Sequence, residues 1–225
     1  INKLSNFKIL NILQKENYSK FDLKISLPGT KENFIKNIKI PLIGLHNIRN
    51  STAAAAVAFS VGIPIKIIKK GLEKFSGVQR RFTKVFSYRN VSFFDDYAHH
   101  PTEIIEVLDG VRKVYKNKEI VCIFQPHRIS RLKSLHDEFS KSFKKADTIV
   151  LCPIFKAGEN IKLGFSYNNF AKKIIKNSKV KLILIKNKLD LVKYVQQNIY
   201  GNKIAIGMGA GSISNWIRDL PKNIK

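Results

Sequence analysis

The sequence has few cysteines, few acidic residues and no long apolar run. Its 225 residues include two cysteines, Cys122 and Cys152, both in apolar segments, which excludes the disulfide framework of a small secreted protein. No segment approaches the roughly 20 consecutive apolar residues that a membrane helix needs. The first residues also contain no apolar core of a signal peptide. These features predict a cytoplasmic chain with reduced, buried thiols and no membrane partner.

Methionine is almost absent as well. The single methionine is Met208, so residue 1 is not a translation start, and we expect the sequence to be a piece of a longer protein or a processed one. With 225 residues, 44% of them hydrophobic, the chain is long enough for one or two globular domains. Its aromatic content of 10% excludes a disordered polyelectrolyte.

Acidic residues are few. The sequence has 16 of them against 33 lysines and 8 arginines, which gives a net charge of +25. A chain this basic can bind nucleic acid. However, the lysines are spread along the whole sequence, and no zinc-finger, RNP or helix-turn-helix motif is present. Lysine, isoleucine and asparagine share AT-rich codons, so we attribute the excess of lysine mainly to genome composition. Nucleic-acid binding stays a minor alternative, which steeply salt-dependent DNA binding would support.

Hydrophobic periodicity divides the chain into two parts. Alternation at 21–27 and 35–40 predicts strands, and segments 51–61 and 65–75 predict helices. After Gly77, short apolar runs alternate with amphipathic segments. The predicted strands are 91–94, 120–124, 148–151, 181–185 and 203–207, and the predicted helices are 102–115, 130–146, 167–177, 189–197 and one after Gly211. This order predicts an α/β protein, with a doubly wound, mostly parallel, Rossmann-like sheet in residues 79–225 and a separate domain in residues 1–78.

The segment after the first strand of the second domain is dense in polar side chains. In open α/β sheets, ligands bind beyond the carboxyl ends of the strands. The stretch from Asp95 to Glu103 places two adjacent aspartates, a tyrosine and two histidines at such an end. Capping of the next helix would explain His100 and Pro101 but not the other residues. We therefore interpret this segment as part of a ligand site.

The second strand of that domain leads into Gln125 to Arg131. Arg128 and Arg131 are three residues apart, which predicts that both lie on one side of the first turn of the following helix. Two guanidinium groups there favour a carboxylate or phosphate ligand and repel each other unless an anion pairs with them. The alternative is that both are solvated surface charges.

The last strand runs into the glycine-rich segment Gly207 to Ser212. A dinucleotide fingerprint belongs after the first strand of a sheet, with an acidic residue about 20 positions further on. Because this segment closes the domain, we do not expect an NAD site. Its glycines are better explained by close approach of the backbone to a ligand or a neighbouring loop.

In the first domain, Asn47 and Asn50 lie one turn apart before the alanine-rich segment. A carboxamide offers both a donor and an acceptor to the edge of adenine. Ordinary capping of the helix N-terminus is an equally good explanation for an asparagine at this place. At the domain boundary, Arg80 and Arg81 precede Phe82, where a charged side chain can reach a cleft between domains.

Together these segments resemble those of the Mur ligases, in the same order and spacing across almost the whole chain. The resemblance is to the members that join L-alanine to UDP-N-acetylmuramate, rather than to the murein-peptide recycling ligases. Ile129 and Phe155 stand where the family usually has tyrosine. The matching segments are 46–50, 77–82, 95–103, 125–131, 157–159 and 209–211.

The resemblance implies an ATP site and a fold. Asn50 is expected to recognise adenine, with His46 and Asn47 beside it, and Asp96 to hold the ribose hydroxyls. Arg81 is expected to reach the ribose or the phosphates. Residues 1–78 would be the C-terminal part of a central ATP-binding domain, and residues 79–225 the complete C-terminal domain.

The resemblance also implies a substrate site and a reaction. Tyr97, His99, Arg128 and Arg131 are expected to line the site for L-alanine and the product carboxylate, with His99 and Arg81 as the catalytic residues. Such ligases use ATP and Mg²⁺ to form an acyl phosphate on the muramoyl carboxylate, which the amine of L-alanine then attacks. Arginines for a carboxylate, and no candidate covalent nucleophile, fit a mechanism of positioning and charge stabilisation.

A phosphate-binding loop is missing from the sequence. Neither Gly-x-x-x-x-Gly-Lys-[Ser/Thr] nor the shorter version of the family occurs, so we expect no metal ligands in this piece and no ligation by it alone. We also expect the N-terminal half of the same enzyme to be its missing partner, in peptidoglycan precursor synthesis. A murein-peptide ligase and a non-catalytic module with the same fold remain alternatives.

Overall fold

The computed structural model describes residues 5–29, 31–159 and 166–224. Residues 1–4, where the sequence shows no signal-peptide core, lie outside the described residues. The chain divides into two compact units, one of Ile1–Val78 with Lys113–Tyr115 and one of Gln79–Arg112 with Lys116–Lys225. Within the described residues, no helix is both long and apolar enough to span a membrane.

The first unit contains an antiparallel sheet of three strands, β1 Phe7–Lys15, β2 Tyr18–Ile25 and β3 Asn33–Ile40, in the order β1-β2-β3. Strict alternation along β2 buries Phe21, Leu23 and Ile25 on one face. Strand β1 was not predicted, because an irregularity between Leu10 and Leu13 interrupts its alternation.

Two helices complete the first unit, α1 Leu45–Ser60 and α2 Ile65–Lys74. Helix α1 begins six residues earlier than the predicted Ser51, after Gly44, whose φ of 93° ends the preceding segment. The predicted start was wrong because the buried stripe of the helix already includes Ile48. Asn47 and Asn50 therefore lie inside α1, and the capping explanation for them is also wrong.

The second unit is an α/β sheet of six strands, in the order β4-β5-β9-β6-β7-β8. Its strands are β4 Thr83–Tyr88, β5 Val91–Asp96, β6 Glu119–Phe124, β7 Thr148–Leu151, β8 Lys181–Leu184 and β9 Lys203–Met208. Its helices are α3 Pro101–Val114, α4 Ile129–Ser134, α5 His136–Lys141, α6 Tyr167–Ser178, α7 Lys188–Asn198 and α8 Ile213–Asn223. All pairs are parallel except β4 with β5, so the predicted mostly parallel α/β fold is confirmed. The antiparallel edge strand β4 was not predicted.

The single helix predicted for residues 130–146 was wrong. It is divided into α4 and α5 at Leu135, whose backbone (φ −118°, ψ 30°) leaves the helical region. After this break, Phe139 is fully buried and its ring lies 6.0 Å from the ring of Phe124, measured between centroids. Leucine has a high helix propensity, so nothing local in the sequence signalled the break.

The register of the parallel strands aligns their carboxyl ends. Met208 at the end of β9 pairs with Asp96 on one side and with Phe124 on the other, and Phe124 pairs with Leu151 of β7. Consequently the segments after β5, β6, β7 and β9 all leave the sheet at the same edge. Below this edge β6 is buried along nearly its whole length, including the free thiol of Cys122.

Candidate functional site

Asp96 ends β5 at this edge and is almost completely buried, with 2% of its surface exposed. Its carboxylate accepts hydrogen bonds from the backbone N–H of Phe82 (2.8 Å) and of Ala98 (2.7 Å). Burial raises the pKa of Asp96 to about 6, against the effect of these two hydrogen bonds. Both carboxylate oxygens are thus fixed by backbone, and a ligand hydroxyl would meet an immobile acceptor.

Arg80 and Arg81 surround Tyr97, which follows Asp96. The backbone N–H of Tyr97 donates to the carbonyl oxygen of Arg80 (2.7 Å), and the Arg80 guanidinium lies 4.7 Å from the centre of the tyrosine ring. Nη2 of Arg80 also donates to the carbonyl oxygen of Gly209 (2.7 Å). The guanidinium of Arg81 lies further from the ring, at 5.8 Å, and its side chain is exposed. Arg80 therefore holds the edge of the sheet together, while Arg81 is available to a ligand.

His99 is oriented by the backbone of its own segment. Its Nδ1 lies 2.8 Å from the carbonyl oxygen of Tyr97, and 3.5 Å from a carboxylate oxygen of Glu103. Because both neighbours are acceptors, Nδ1 carries the hydrogen, and Nε2 of the neutral ring is left as the acceptor.

The start of α3 behaves as ordinary helix capping predicts for His100 and Pro101. Pro101 is the first residue of α3, and Nδ1 of His100 accepts from the backbone N–H of Thr102 (3.3 Å). Glu103 accepts from the backbone N–H groups of His99 (3.0 Å) and His100 (3.2 Å). His100 thus has a structural role, and His99 is the histidine of this segment that remains for a ligand.

After β6, the ring of His127 faces both the β5 end and the segment after β7. It stacks on Phe155, with ring centroids 5.5 Å apart, and lies 6.0 Å from the ring of His99. Burial lowers the pKa of His127, and the positive charge of Arg131 lowers it further. Phe155, which stands where the family usually has tyrosine, therefore still supplies a flat wall.

Arg128 and Arg131 are both at this edge, but their arrangement differs from the prediction. Arg128 precedes α4 in an extended conformation instead of lying in its first turn, and Nη1 of Arg131 donates to the carbonyl oxygen of His127 (2.8 Å). Nε of Arg128 lies 3.3 Å from the carboxylate of Glu159. The anion that the two arginines require is thus supplied in part by the chain itself.

The glycine-rich segment after β9 packs closely on the segment after β6. A Cβ added to Gly209, whose φ is 145°, would lie 2.5 Å from the carbonyl oxygen of Gln125. A Cβ on Gly211 would lie 2.6 Å from Oε1 of Gln125 and from Cγ of Phe155. The buried Gln125 in turn accepts from the backbone N–H of Ile213 (2.9 Å). These glycines allow close approach of neighbouring loops, one of the two explanations that the sequence offered.

The three candidate residues of the first unit lie in the first two turns of α1. The side-chain amide of Asn47 donates to the carbonyl oxygen of Ile43 (2.7 Å), and the ring of His46 covers Gly44. Asn50 is exposed, and its carboxamide makes no hydrogen bond with the described part of the chain. Of the two asparagines, Asn50 can therefore offer its whole carboxamide to a ligand.

Sequence reasoning missed two residues that shape this edge, Arg80 and Glu159. Arg80 lies beside the predicted Arg81, and Glu159 lies in a matched segment, 157–159, to which no role had been given. No local pattern distinguishes Arg80 from Arg81, since only the fold shows which side chain turns towards Gly209. For Glu159 the available signal was its place as the single acid of segment 157–159, which carries part of the family resemblance.

The residues that the structure describes contain no group of three or more histidine, cysteine, aspartate or glutamate side chains able to hold a metal ion. The edge instead brings together a buried carboxylate (Asp96), an oriented imidazole (His99) and two arginines (Arg128 and Arg131). This combination can bind a hydroxyl-bearing ligand and a carboxylate, and it can accept a proton between them.

Comparison with known proteins finds relatives that bear the same name. The chain is 63% identical over 220 residues to the UDP-N-acetylmuramate–L-alanine ligase of Pelagibacter ubique, covering 98% of this chain and 47% of that protein. It is 38% identical over 224 residues to the ligase of the same name from Bartonella bacilliformis, covering 99% and 47%. The chain thus spans about half the length of the curated relatives it matches.

Among solved structures, a UDP-N-acetylmuramate–alanine ligase from Thermotoga maritima superposes with a TM-score of 0.77 at 25% identity, over 98% of this chain and 46% of that one. The family model of the Mur ligase glutamate ligase domain matches residues 80–211, which include every candidate residue of the second unit. Since this model matches more than half of the chain, the chain belongs to the Mur ligase family.

Proposed function

We propose that this chain is part of an ATP-dependent ligase that joins L-alanine to UDP-N-acetylmuramate in peptidoglycan precursor synthesis, in the cytoplasm. The observation that carries the proposal is the edge of the sheet, where a buried acceptor, an oriented histidine and two arginines converge. Relatives at 63% and 38% identity bear the name of this ligase. We infer the substrates and the reaction from the names of these relatives and from the chemistry of the residues at this edge.

The proposed roles follow from the geometry of each side chain. Asp96, with both oxygens fixed by backbone N–H groups, would accept the ribose hydroxyls of ATP. The exposed guanidinium of Arg81 would bind the ribose or the phosphates. Arg128 and Arg131 would bind the carboxylate of L-alanine, with Tyr97 beside them as a wall of the site.

His99 would act on the amine. L-Alanine arrives as an ammonium ion and must lose a proton before its nitrogen can attack. With Nδ1 donating to the carbonyl oxygen of Tyr97, Nε2 of His99 can accept this proton. The amine nitrogen then forms the amide bond with the acyl carbon, and the phosphate leaves with the electrons of the broken carbon–oxygen bond.

We also propose that residues 1–78 belong to an ATP-binding domain and residues 79–225 form the C-terminal ligase domain. In the first unit, Asn50 would pair with the edge of adenine, beside His46 and Asn47. Mg²⁺ would neutralise the phosphates of ATP, but the described residues contain no cluster that fits it, so we assign it no ligand here.

The proposed function is tested in an enzyme of full length, made by joining this chain to part of a relative. We define the joined enzyme as this chain fused to the part of the Pelagibacter ligase that the match leaves uncovered. The joined enzyme should release phosphate only when ATP, UDP-N-acetylmuramate and L-alanine are all present, and the chain alone should release none, since it lacks a phosphate loop. An inactive joined enzyme beside an active Pelagibacter ligase would contradict the proposal.

Two substitutions in the joined enzyme separate the proposed sites. Arg128→Ala should raise the KM for L-alanine at least tenfold, whereas Asn50→Ala should raise the KM for ATP and leave that for L-alanine nearly unchanged. If both substitutions changed only the KM for ATP, the assignment of the arginines to the amino acid would be wrong.

A further inference from the structure

Glu159 is a carboxylate that the fold holds firmly. Its side chain is only 14% exposed. It accepts hydrogen bonds from the backbone N–H of Ser130 (3.0 Å) and from the hydroxyl of the same residue. Its own backbone N–H donates to the carbonyl oxygen of Lys156 (3.0 Å), in a turn where Ala157 and Gly158 have φ values of 52° and 81°. The position of this carboxylate is therefore set by its neighbours and does not depend on Arg128.

Arg128 touches this carboxylate through one edge only. Its Nε lies 3.3 Å from Oε1 of Glu159, and half of its side chain is exposed. The two terminal nitrogens of the guanidinium make no hydrogen bond with the described residues. A guanidinium is planar, so fixing Nε also fixes the direction of the edge formed by Nη1 and Nη2. That free edge can bind a carboxylate with two parallel hydrogen bonds.

The neighbouring Arg131 does not need such a partner. It lies inside α4, and its Nη1 is already held by the carbonyl oxygen of His127 at 2.8 Å. Arg128 precedes the helix in an extended conformation, and among the described residues its side chain forms one ion pair, with Glu159. Without that contact, the side chain would have to lose its conformational freedom when the ligand binds, which weakens binding.

We propose that Glu159 is a positioning residue for amino-acid recognition: it fixes Nε of Arg128 so that the free edge of the guanidinium faces the carboxylate of L-alanine. The inference rests on the proposed function and adds to it how the amino-acid site is preformed. The hydrogen bond from the Ser130 hydroxyl lowers the pKa of Glu159, so this carboxylate is charged at neutral pH.

Glu159→Gln is the decisive substitution, because it keeps the shape of the side chain. The amide oxygen can still accept from the backbone N–H of Ser130, and the amide nitrogen can donate to the Ser130 hydroxyl. That nitrogen then faces Nε of Arg128, where two donors repel. Glu138→Gln is the matched control, since Glu138 is an exposed acid of the same unit, on α5.

In the joined enzyme, Glu159→Gln should raise the KM for L-alanine about tenfold, while kcat and the KM for ATP stay within about twofold and the melting temperature is unchanged. Glu138→Gln should change none of these. Glu159→Asp, which keeps the charge on a shorter side chain, should recover part of the loss. An unchanged KM for L-alanine in an active Glu159→Gln enzyme would overturn the positioning role and leave the proposed function intact.

A second readout uses the chain itself. In ¹⁵N NMR spectra of the arginine side chains, the Nε–H signal of Arg128 should be protected from exchange with water in the unmodified chain and in Glu138→Gln, and should lose this protection in Glu159→Gln. If the joined enzyme were inactive, the proposed function would fail, and this measurement would still decide whether Glu159 fixes Arg128. Equal exchange of this signal in all three proteins would overturn the positioning role.

Discussion

Adjacent residues of identical chemistry can have opposite roles in a strand, as Asp95 and Asp96 do. Successive side chains of β5 point to opposite faces of the sheet. Asp95 is buried beside α8, where it accepts from the hydroxyl of Ser214 (2.5 Å) and lies 3.4 Å from Nη2 of Arg218. Asp96 is held by backbone N–H groups at the edge where we propose that ligands bind. Residue chemistry alone does not distinguish the two, because the face of each depends on the sheet, and only the family resemblance singled out Asp96.

The burial of Asp96 leads to a prediction about its titration. In the folded chain its pKa is raised to about 6, above the ordinary value of 3.8. Between these two values the folded state binds more protons than the unfolded state, so the contribution of Asp96 to stability falls as the pH rises from about 4 to about 6. ¹³C NMR of the aspartate carboxyl groups should show a midpoint near pH 6 for Asp96.

Asp22 provides the internal reference for this titration. A hydrogen bond from the backbone N–H of Asn37 lowers the pKa of Asp22, so the midpoint of its carboxyl signal should lie below the ordinary value for aspartate. A midpoint for Asp96 that coincides with that of Asp22 would show that its two backbone hydrogen bonds outweigh its burial.

At the scale of elements, the apolar strands were the most predictable part. Strand β7 has the predicted bounds, and β5, β6, β8 and β9 differ from the prediction by one or two residues, because continuous apolar runs are typical of buried parallel strands. The break at Leu135 and the edge strand β4 could not be predicted, since each depends on packing against residues distant in sequence. The same holds for the contact of Glu159 with Arg128, which joins two segments far apart in the chain.

Close packing of α8 on β9 makes Gly207 sensitive to any side chain. A Cβ at this position would lie 2.4 Å from Cγ1 of Ile217, a fully buried residue of α8. Gly207→Ala should therefore destabilise the second unit by about 1–3 kcal/mol, the usual cost of overpacking a core. Urea unfolding followed by the fluorescence of Trp216, the single tryptophan, measures this change.

Gly71→Ala is the matched control for Gly207→Ala. Gly71 lies inside α2, and a Cβ there would meet no atom within 4 Å. Alanine should stabilise this helix by about 0.5–1 kcal/mol, because it reduces the freedom of the unfolded chain. Circular dichroism follows this change, since Trp216 belongs to the other unit. If Gly207→Ala were as harmless as Gly71→Ala, α8 would have to move away from β9 at little cost.

At the scale of the whole molecule, the net charge of +25 is less informative than the few arginines. Five of the eight arginines have roles assigned above: Arg80, Arg81, Arg128, Arg131 and Arg218. Many lysines, in contrast, lie on exposed positions of strands and helices, as in α2. This distribution agrees with a genome rich in AT codons and with anionic ligands bound at a few specific places.

Each of the two units has a hydrophobic core of its own among the described residues, which predicts two separate unfolding events. Ile38 belongs to the core of the first unit, and Ile123 to the core cluster of the second, against which Trp216 packs. Both isoleucines are fully buried, so replacing either with alanine should cost its own unit about 2–5 kcal/mol. Trp216 fluorescence should report the loss in Ile123→Ala but not in Ile38→Ala, whereas circular dichroism should detect both. An equal shift of the Trp216 midpoint in the two variants would mean that the units unfold as one cooperative body, because a cavity in one core would then weaken the other.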